Sequence, residues 1–272
     1  MIFKNYQFNY SLINHTNKPL ILFLHGFMGK IDEFDPVIKL LADDFSYLTL
    51  DLPGHGTTQV LGEDKYYQME STAQGLIELL DDLKIDKCFL VGYSMGGRLA
   101  LYLSLHFPER FIKVILESAS PGLAKEADRL KRIKSDFQIA SKLTRITERK
   151  DFEIFLNYWY SQPIFGNIKN HPDYETMLES RLENNPIELT KSLQYMGTGY
   201  QPSLWEKLQN NHIPLMLIAG EIDQKFVDIN TQMLHQCSVA QLKMIKKAGH
   251  NIHLEQTEKF VQIIQQFFTI LC

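Results

Sequence analysis

Lys87-Cys-Phe-Leu-Val-Gly-Tyr-Ser-Met-Gly-Gly-Arg-Leu-Ala-Leu101 is the stretch that decides the fold. Its first half is a short apolar run of strand length, and its second half carries apolar residues at helical spacing. Between the two, Gly92-Tyr-Ser-Met-Gly96 has the G-x-S-x-G pattern in a strand–turn–helix context. The glycines relieve crowding where the strand turns sharply into the helix. Ser94 then stands at the helix N-terminus with its Oγ clear of the sheet. There the Met95 N–H and the helix dipole face any negative charge that develops nearby. Taken alone, Ser94 reads equally well as an ordinary helix N-cap, since five-residue patterns arise by chance. The flanking strand and helix favour the nucleophile.

Outward from this turn, short apolar runs alternate with helical patterns. Strands are expected at Pro19–Leu24, Phe45–Leu50, Lys87–Val91 and Phe111–Glu117, and helices at Glu33–Ala42, Met69–Leu83 and Ser94–His106. Strand–helix alternation implies an α/β fold, a mostly parallel sheet with helices on both faces. From Ala124 to about Tyr200 strand signals fade. Lys125–Lys150 has nine basic and four acidic residues in an amphipathic helical pattern, most of whose charges read as a solvated face. Strands resume at Pro214–Ala219 and Gln241–Ile245, and Thr257–Leu271 closes the chain as a helix. The simplest organisation is a core of residues 1–121 and 205–272, with residues 122–204 as a helical cap over the carboxyl ends of the strands.

Composition narrows the function classes. The formal net charge of −4 gives no sign of nucleic-acid binding, which calls for a basic excess. Apolar residues at 44% and charged residues at 22%, over 272 residues, suffice for a sizeable core without disulfides. Cys88, Cys237 and Cys272 are widely spaced and form no metal pattern, which points to a reducing compartment. The N-terminus has no apolar segment preceded by positive charge, and no stretch reaches the roughly 18 apolar residues of a membrane span. The expectation is a soluble, cytoplasmic protein with no membrane contact and no obligatory protein partner.

The remaining chemistry-bearing residues follow strands. His25-Gly-Phe-Met-Gly29 comes after the first strong strand, where the Phe27 N–H would be a second oxyanion donor beside Met95. His25 itself reads as structural, because a triad needs one base, and His55 in Asp51-Leu-Pro-Gly-His-Gly56 as loop-fixing. A triad in the chain order Ser, acid, His takes Asp223 from Gly220-Glu-Ile-Asp223 and His250 from Ala248-Gly-His250. Glu221 and His253 compete for those roles and rank below them. Arg98 lies one helical turn after Ser94 and suits a two-pronged hold on a carboxylate, the alternative being an ion-paired arginine beside a buried helix.

Together these residues resemble the α/β-hydrolase superfamily over the whole chain. Within it, Gly92-Tyr-Ser-Met-Gly-Gly-Arg-Leu-Ala-Leu101 is similar to one family, 2-succinyl-6-hydroxy-2,4-cyclohexadiene-1-carboxylate synthase, the pyruvate-eliminating lyase of menaquinone and phylloquinone biosynthesis. The same likeness extends to His25–Gly29, Asp51–Gly56, Ser118–Leu123, Arg129–Asp136, Trp159–Phe165, Arg181–Asn185, Gly220–Phe226 and Ala248–His253. The resemblance implies a triad of Ser94, Asp223 and His250. It also implies substrate-binding arginines at Arg98, Arg132 and Arg181 and aromatic contacts at Tyr93 and Trp159. In the cap, the spacing to Asp136 favours Arg132 over Arg129. Leu254-Glu-Gln-Thr257 lacks a proline associated with this region of the family, and the cap matches only in short local patterns. The implied substrate is a small anion with several carboxylates, and no metal or organic cofactor is implied. Two alternatives stay open: an esterase or carbon–carbon bond hydrolase of the same fold, and a non-catalytic ligand receptor.

Overall fold

Side chains alternate sides along a strand, and that alternation sorts this chain's apolar residues onto two faces of one sheet. In the computed structural model, which describes residues 5–269, the strands are β1 (Tyr6–Gln7), β2 (Tyr10–Ile13), β3 (Leu20–Leu24), β4 (Ser46–Leu50), β5 (Gln59–Val60), β6 (Cys88–Tyr93), β7 (Phe111–Glu117), β8 (Leu215–Gly220) and β9 (Ala240–Ile245). Seven of them form the main sheet in the order β2-β4-β3-β6-β7-β8-β9. Only β2 runs antiparallel to its neighbour; β1 and β5 make a separate antiparallel pair.

The core helices are α1 (Asp35–Leu41), α2 (Met69–Asp82) and α3 (Met95–His106). The cap carries α4 (Glu126–Leu143), α5 (Arg149–Trp159), α6 (Tyr174–Arg181) and α7 (Pro186–Met196). The chain then returns to the core through α8 (Trp205–Leu208), α9 (Gln224–Gln236), α10 (Ile252–Glu255) and α11 (Thr257–Thr269). On one face of the sheet Leu22, Leu24, Leu90 and Leu116 pack against α2 and α3; on the other, Ile21, Phe23, Val91 and Ile115 pack against α1 and α11. The cap has its own core, in which Leu143, Phe152, Leu156, Leu178 and Leu189 meet Met28 and Leu254 from below. These contacts are what hold the inserted helices over the sheet.

The expected strands and helices are present with ends shifted by one or two residues. The elbow strand runs on to Tyr93, and its helix starts at Met95. The short strands β1, β2 and β5 and the helix α9 are additions to the sequence reading. The first four residues of the expected core, the end of the closing helix and Cys272 lie outside the described residues. Cys88 and Cys237 are buried free thiols. Among the described residues, no helix is long and apolar enough to cross a membrane.

Candidate active site

The parallel register lines up the carboxyl ends of the central strands: Leu24 pairs with Gly92, and Tyr93 with Glu117. The loops leaving β3, β6 and β7 therefore converge. Ser94 sits in the turn between β6 and α3 with φ 51° and ψ −106°, a positive φ that costs a side-chain-bearing residue conformational energy. Its own N–H, donated to Glu117 O at 2.8 Å, helps hold the turn. The motif glycines are needed for close approach. A Cβ on Gly92 would lie 2.5 Å from Gly96 O, and one on Gly96 would lie 2.2 Å from Leu24 O. Only hydrogen at both positions lets α3 start directly against the sheet and leave Ser94 Oγ projecting.

Ser94 Oγ lies 2.9 Å from His250 Nε2, and His250 Nδ1 lies 2.6 Å from Asp223 Oδ2. The buried carboxylate accepts, so it fixes the tautomer that leaves Nε2 free to take the serine proton. Asp223 is fixed in turn as the N-cap of α9, where its other oxygen accepts from Phe226 N at 3.4 Å. The cap steadies the histidine as well, because His250 N donates to Ile164 O at 2.9 Å. The competitors are occupied elsewhere. Glu221 is exposed and accepts from Lys247 N at 3.4 Å, and His253 is buried between two other carboxylates. His25 Nε2 accepts from Leu52 N at 2.9 Å, tying the β3 loop to the β4 loop, and buried His55 contacts Pro53 O.

Above Ser94 and His250 opens a cavity of about 420 Å³ between sheet and cap. Phe27, Tyr93 and Met95 line it from the core, Trp159 and Arg132 from the cap, and Arg98 from the wall of α3. Trp159 meets Phe27 edge-on at 5.7 Å, and Tyr93 packs 5.5 Å from the His250 ring. Arg98 donates from Nη1 to Met196 O and Gln201 Oε1, both at 2.9 Å, and among the described residues no carboxylate pairs with it. Arg132 Nε donates to Asp136 Oδ1 at 2.7 Å, and the second Asp136 oxygen is buried without a hydrogen-bond partner. Burial, and behind it the Arg132 charge, pulls the Arg98 pKa down to about 9. The guanidinium is still charged at neutral pH and gains from an incoming anion. The charged residues lining the cavity are Arg98, Arg132, Lys225 and Asp136, three cations to one acid.

A family model for the alpha/beta hydrolase fold matches residues 19–257. The 2-succinyl-6-hydroxy-2,4-cyclohexadiene-1-carboxylate synthase of Enterobacter sp. (strain 638) is 33% identical, over 93% of this chain and 92% of its own. A Bacillus subtilis (strain 168) protein provisionally given the same synthase name is 36% identical, over 92% of this chain and 90% of its own. The solved structure of MenH from S. aureus superposes with a TM-score of 0.88 at 32% identity, over 97% of this chain and 98% of that one. The chain belongs to this synthase family.

One residue assigned from the resemblance to the synthase family is not brought into the cavity. Arg181, expected to bind substrate, does not line it. Its guanidinium donates from Nη2 to Glu33 Oε1 at 2.5 Å and from Nε to Tyr160 Oη at 3.2 Å, with Arg181 and Glu33 side chains each 3% exposed. The physical reason is charge balance. Glu33 Oε1 also meets His253 Nε2 at 3.0 Å, and His253 Nδ1 meets Glu117 Oε2 at 2.8 Å. Two carboxylates and two cations thus close a neutral, buried quartet outside the cavity lining. Burial favours protonating Glu33, but Arg181 and His253 outweigh it and hold the carboxyl at about 2. Burial likewise opposes charge on His253, and Glu117 with Glu33 outweighs that, raising it to about 9. Glu117 Oε1 further accepts from Ile252 N and His253 N, which pins the loop carrying His250. Sequence reasoning in terms of this synthase family missed Glu33, Glu117 and Lys225. The one available signal was an acid ending the otherwise apolar run Val114-Ile-Leu-Glu117.

Proposed function

We propose that this chain eliminates pyruvate from 2-succinyl-5-enolpyruvyl-6-hydroxy-3-cyclohexene-1-carboxylate, giving 2-succinyl-6-hydroxy-2,4-cyclohexadiene-1-carboxylate, with Ser94 as the base. The observation that carries this reading is the pairing of a complete Ser94–His250–Asp223 hydrogen-bond chain with a cavity whose charged lining is three cations to one acid. The substrate has three carboxylates, so such a lining favours it over a neutral ester.

The ring chemistry follows from the double-bond positions. The proton at C2, next to the succinyl ketone, passes to Ser94 Oγ as the serine proton passes to His250 Nε2. The C2–H electron pair forms the C2–C3 double bond, the C3–C4 pair moves to C4–C5, and the C5–O bond breaks. The leaving enolate takes a proton and becomes pyruvate, so atoms and charge balance without water or an acyl-enzyme. Charge developing on the succinyl carbonyl oxygen is met by the Phe27 and Met95 N–H groups. Asp223 keeps the imidazole oriented and stabilises the imidazolium. Tyr93 and Trp159 give the ring its apolar walls, and Arg98 and Arg132 hold carboxylates.

The test is incubation of the purified protein with the enolpyruvyl cyclohexene substrate and a coupled assay for pyruvate. Stoichiometric pyruvate with formation of the conjugated diene supports the lyase. Absence of pyruvate, with turnover of neutral p-nitrophenyl esters, would move the hydrolase reading ahead. Absence of any turnover, with tight ligand binding, would favour a receptor.

A further inference from the structure

Lys225 opens the first turn of α9, two residues after Asp223, and its side chain lines the cavity beside Arg98 and Arg132. Among the described residues, no carboxylate lies within salt-bridge distance of its Nζ; that Nζ instead lies 5.1 Å from the Phe226 ring centre. Partial burial, then the Arg132 charge, lowers its pKa, and Arg98 adds to the effect while Asp223 and Asp136 oppose it. Lys225 is therefore a cation held among cations. Asp136, the only acid in the lining, is already engaged by Arg132. Arg181, which would have been a third arginine, is neutralised by Glu33 outside the cavity.

Resting on the proposed activity and deepening it, we infer that Lys225, rather than Arg181, is the third carboxylate-binding cation of the site, completing a polyanion site with Arg98 and Arg132. A substrate with three carboxylates then meets three cavity cations. Lysine offers a point charge on a flexible stem, suited to a carboxylate whose position shifts as the leaving group departs.

The experiment compares Lys225→Met and Lys225→Arg with the wild type in two arms. In the first, pyruvate release gives kcat and KM separately. Losing one charge-assisted contact should raise KM about tenfold in Lys225→Met while kcat stays within about twofold, and Lys225→Arg should recover most of the loss. If Lys225 served only to tune Asp223, Lys225→Met would leave KM alone and shift the pH profile of kcat; that result overturns the inference. The second arm needs no turnover: citrate, a tricarboxylate, is titrated while thermal unfolding is followed. Citrate should raise the melting temperature of the wild type and of Lys225→Arg more than that of Lys225→Met. Equal shifts in all three overturn the inference. A wild type that releases no pyruvate refutes the lyase reading, and the citrate arm still decides the anion site. Unchanged melting temperatures without citrate exclude misfolding as the cause.

Discussion

Replacing Glu33 with Gln removes the negative charge shared by buried Arg181 and His253 while keeping the side chain's shape. The Glu33 and Arg181 side chains are each 3% exposed, so the variant leaves two cations facing only Glu117 in a dry interior. Breaking a buried ion pair from one side costs about 3–5 kcal/mol. For a chain of this size each kcal/mol shifts the melting temperature by roughly 2–4 °C, so Glu33→Gln should melt about 6–20 °C lower. Arg181→Met should fall by a similar amount, because it leaves the buried carboxylates Glu33 and Glu117 with His253 as their one shared cation. The double variant Glu33→Gln/Arg181→Met should cost less than the two losses added, since His253 still has Glu117 and no charge is left alone. The assay is thermal unfolding of the four proteins at pH 7, with kcat and KM measured on each well below its transition. The reasoning is refuted if Arg181→Met melts like the wild type but raises KM, for then Arg181 reaches the substrate and the pairing with Glu33 is incidental.

The same geometry makes three further statements. Ser94→Ala, His250→Ala and Asp223→Ala should each lower pyruvate release by orders of magnitude, and the double variants should be little worse than the singles, because the three side chains form one hydrogen-bond chain. Arg98→Ala and Arg132→Ala should each cost about tenfold to a hundredfold in kcat/KM for the anionic substrate, with Lys a poor replacement, while any side activity on p-nitrophenyl acetate changes little; equal losses on both substrates would remove the carboxylate-binding role. His253 binds its proton more tightly folded (about 9) than unfolded (6.5), so its contribution to stability is fully present below about pH 6.5 and is lost as the pH rises toward 9. Melting temperature should therefore fall over that window in the wild type, and a fall just as steep in His253→Gln would assign it to another group.

The fold was legible where hydrophobic period and burial coincide. Leu20–Leu24 and, apart from exposed Ile112, Phe111–Glu117 are mostly buried, so their apolar runs stand out; the second strand has the bounds read for it, and the first begins one residue after the expected Pro19. The strand β2 was missed because it is an edge strand whose residues alternate between half-buried and exposed, which leaves Tyr10-Ser-Leu-Ile13 without an apolar run. The helix α9 was missed for a similar reason: of its thirteen residues only Asn230 and Met233 are fully buried, so its apolar stripe is too thin to register. Both failures lie where tertiary packing supplies stability that local pattern does not advertise.

In the site, legibility depended on whether a residue's role is set by local spacing or by a distant partner. Ser94 was readable because its turn, glycines, strand and helix lie within fifteen residues of sequence. Asp223 and His250 were readable because each follows a strand in the sheet's carboxyl-end order. The arginines behave differently, because a cation's function depends on which anion reaches it first. Arg98 and Arg181 are both buried cations, yet the chain gives Arg181 its own carboxylate, from a residue 148 positions away, and gives Arg98 only a carbonyl and an amide. A guanidinium already facing Glu33 gains little from a substrate carboxylate, since binding would have to displace a partner of equal charge in a desolvated setting. One solvated by neutral acceptors gains the full charge-assisted contact. Arg132 stands between the two, since Asp136 takes its Nε but its side chain stays 34% exposed in the cavity lining, whereas the Arg181 side chain is 3% exposed and outside it. The cations that matter for recognition here are therefore the ones that still face the cavity, and only the folded chain distinguishes them from the one it has buried and neutralised.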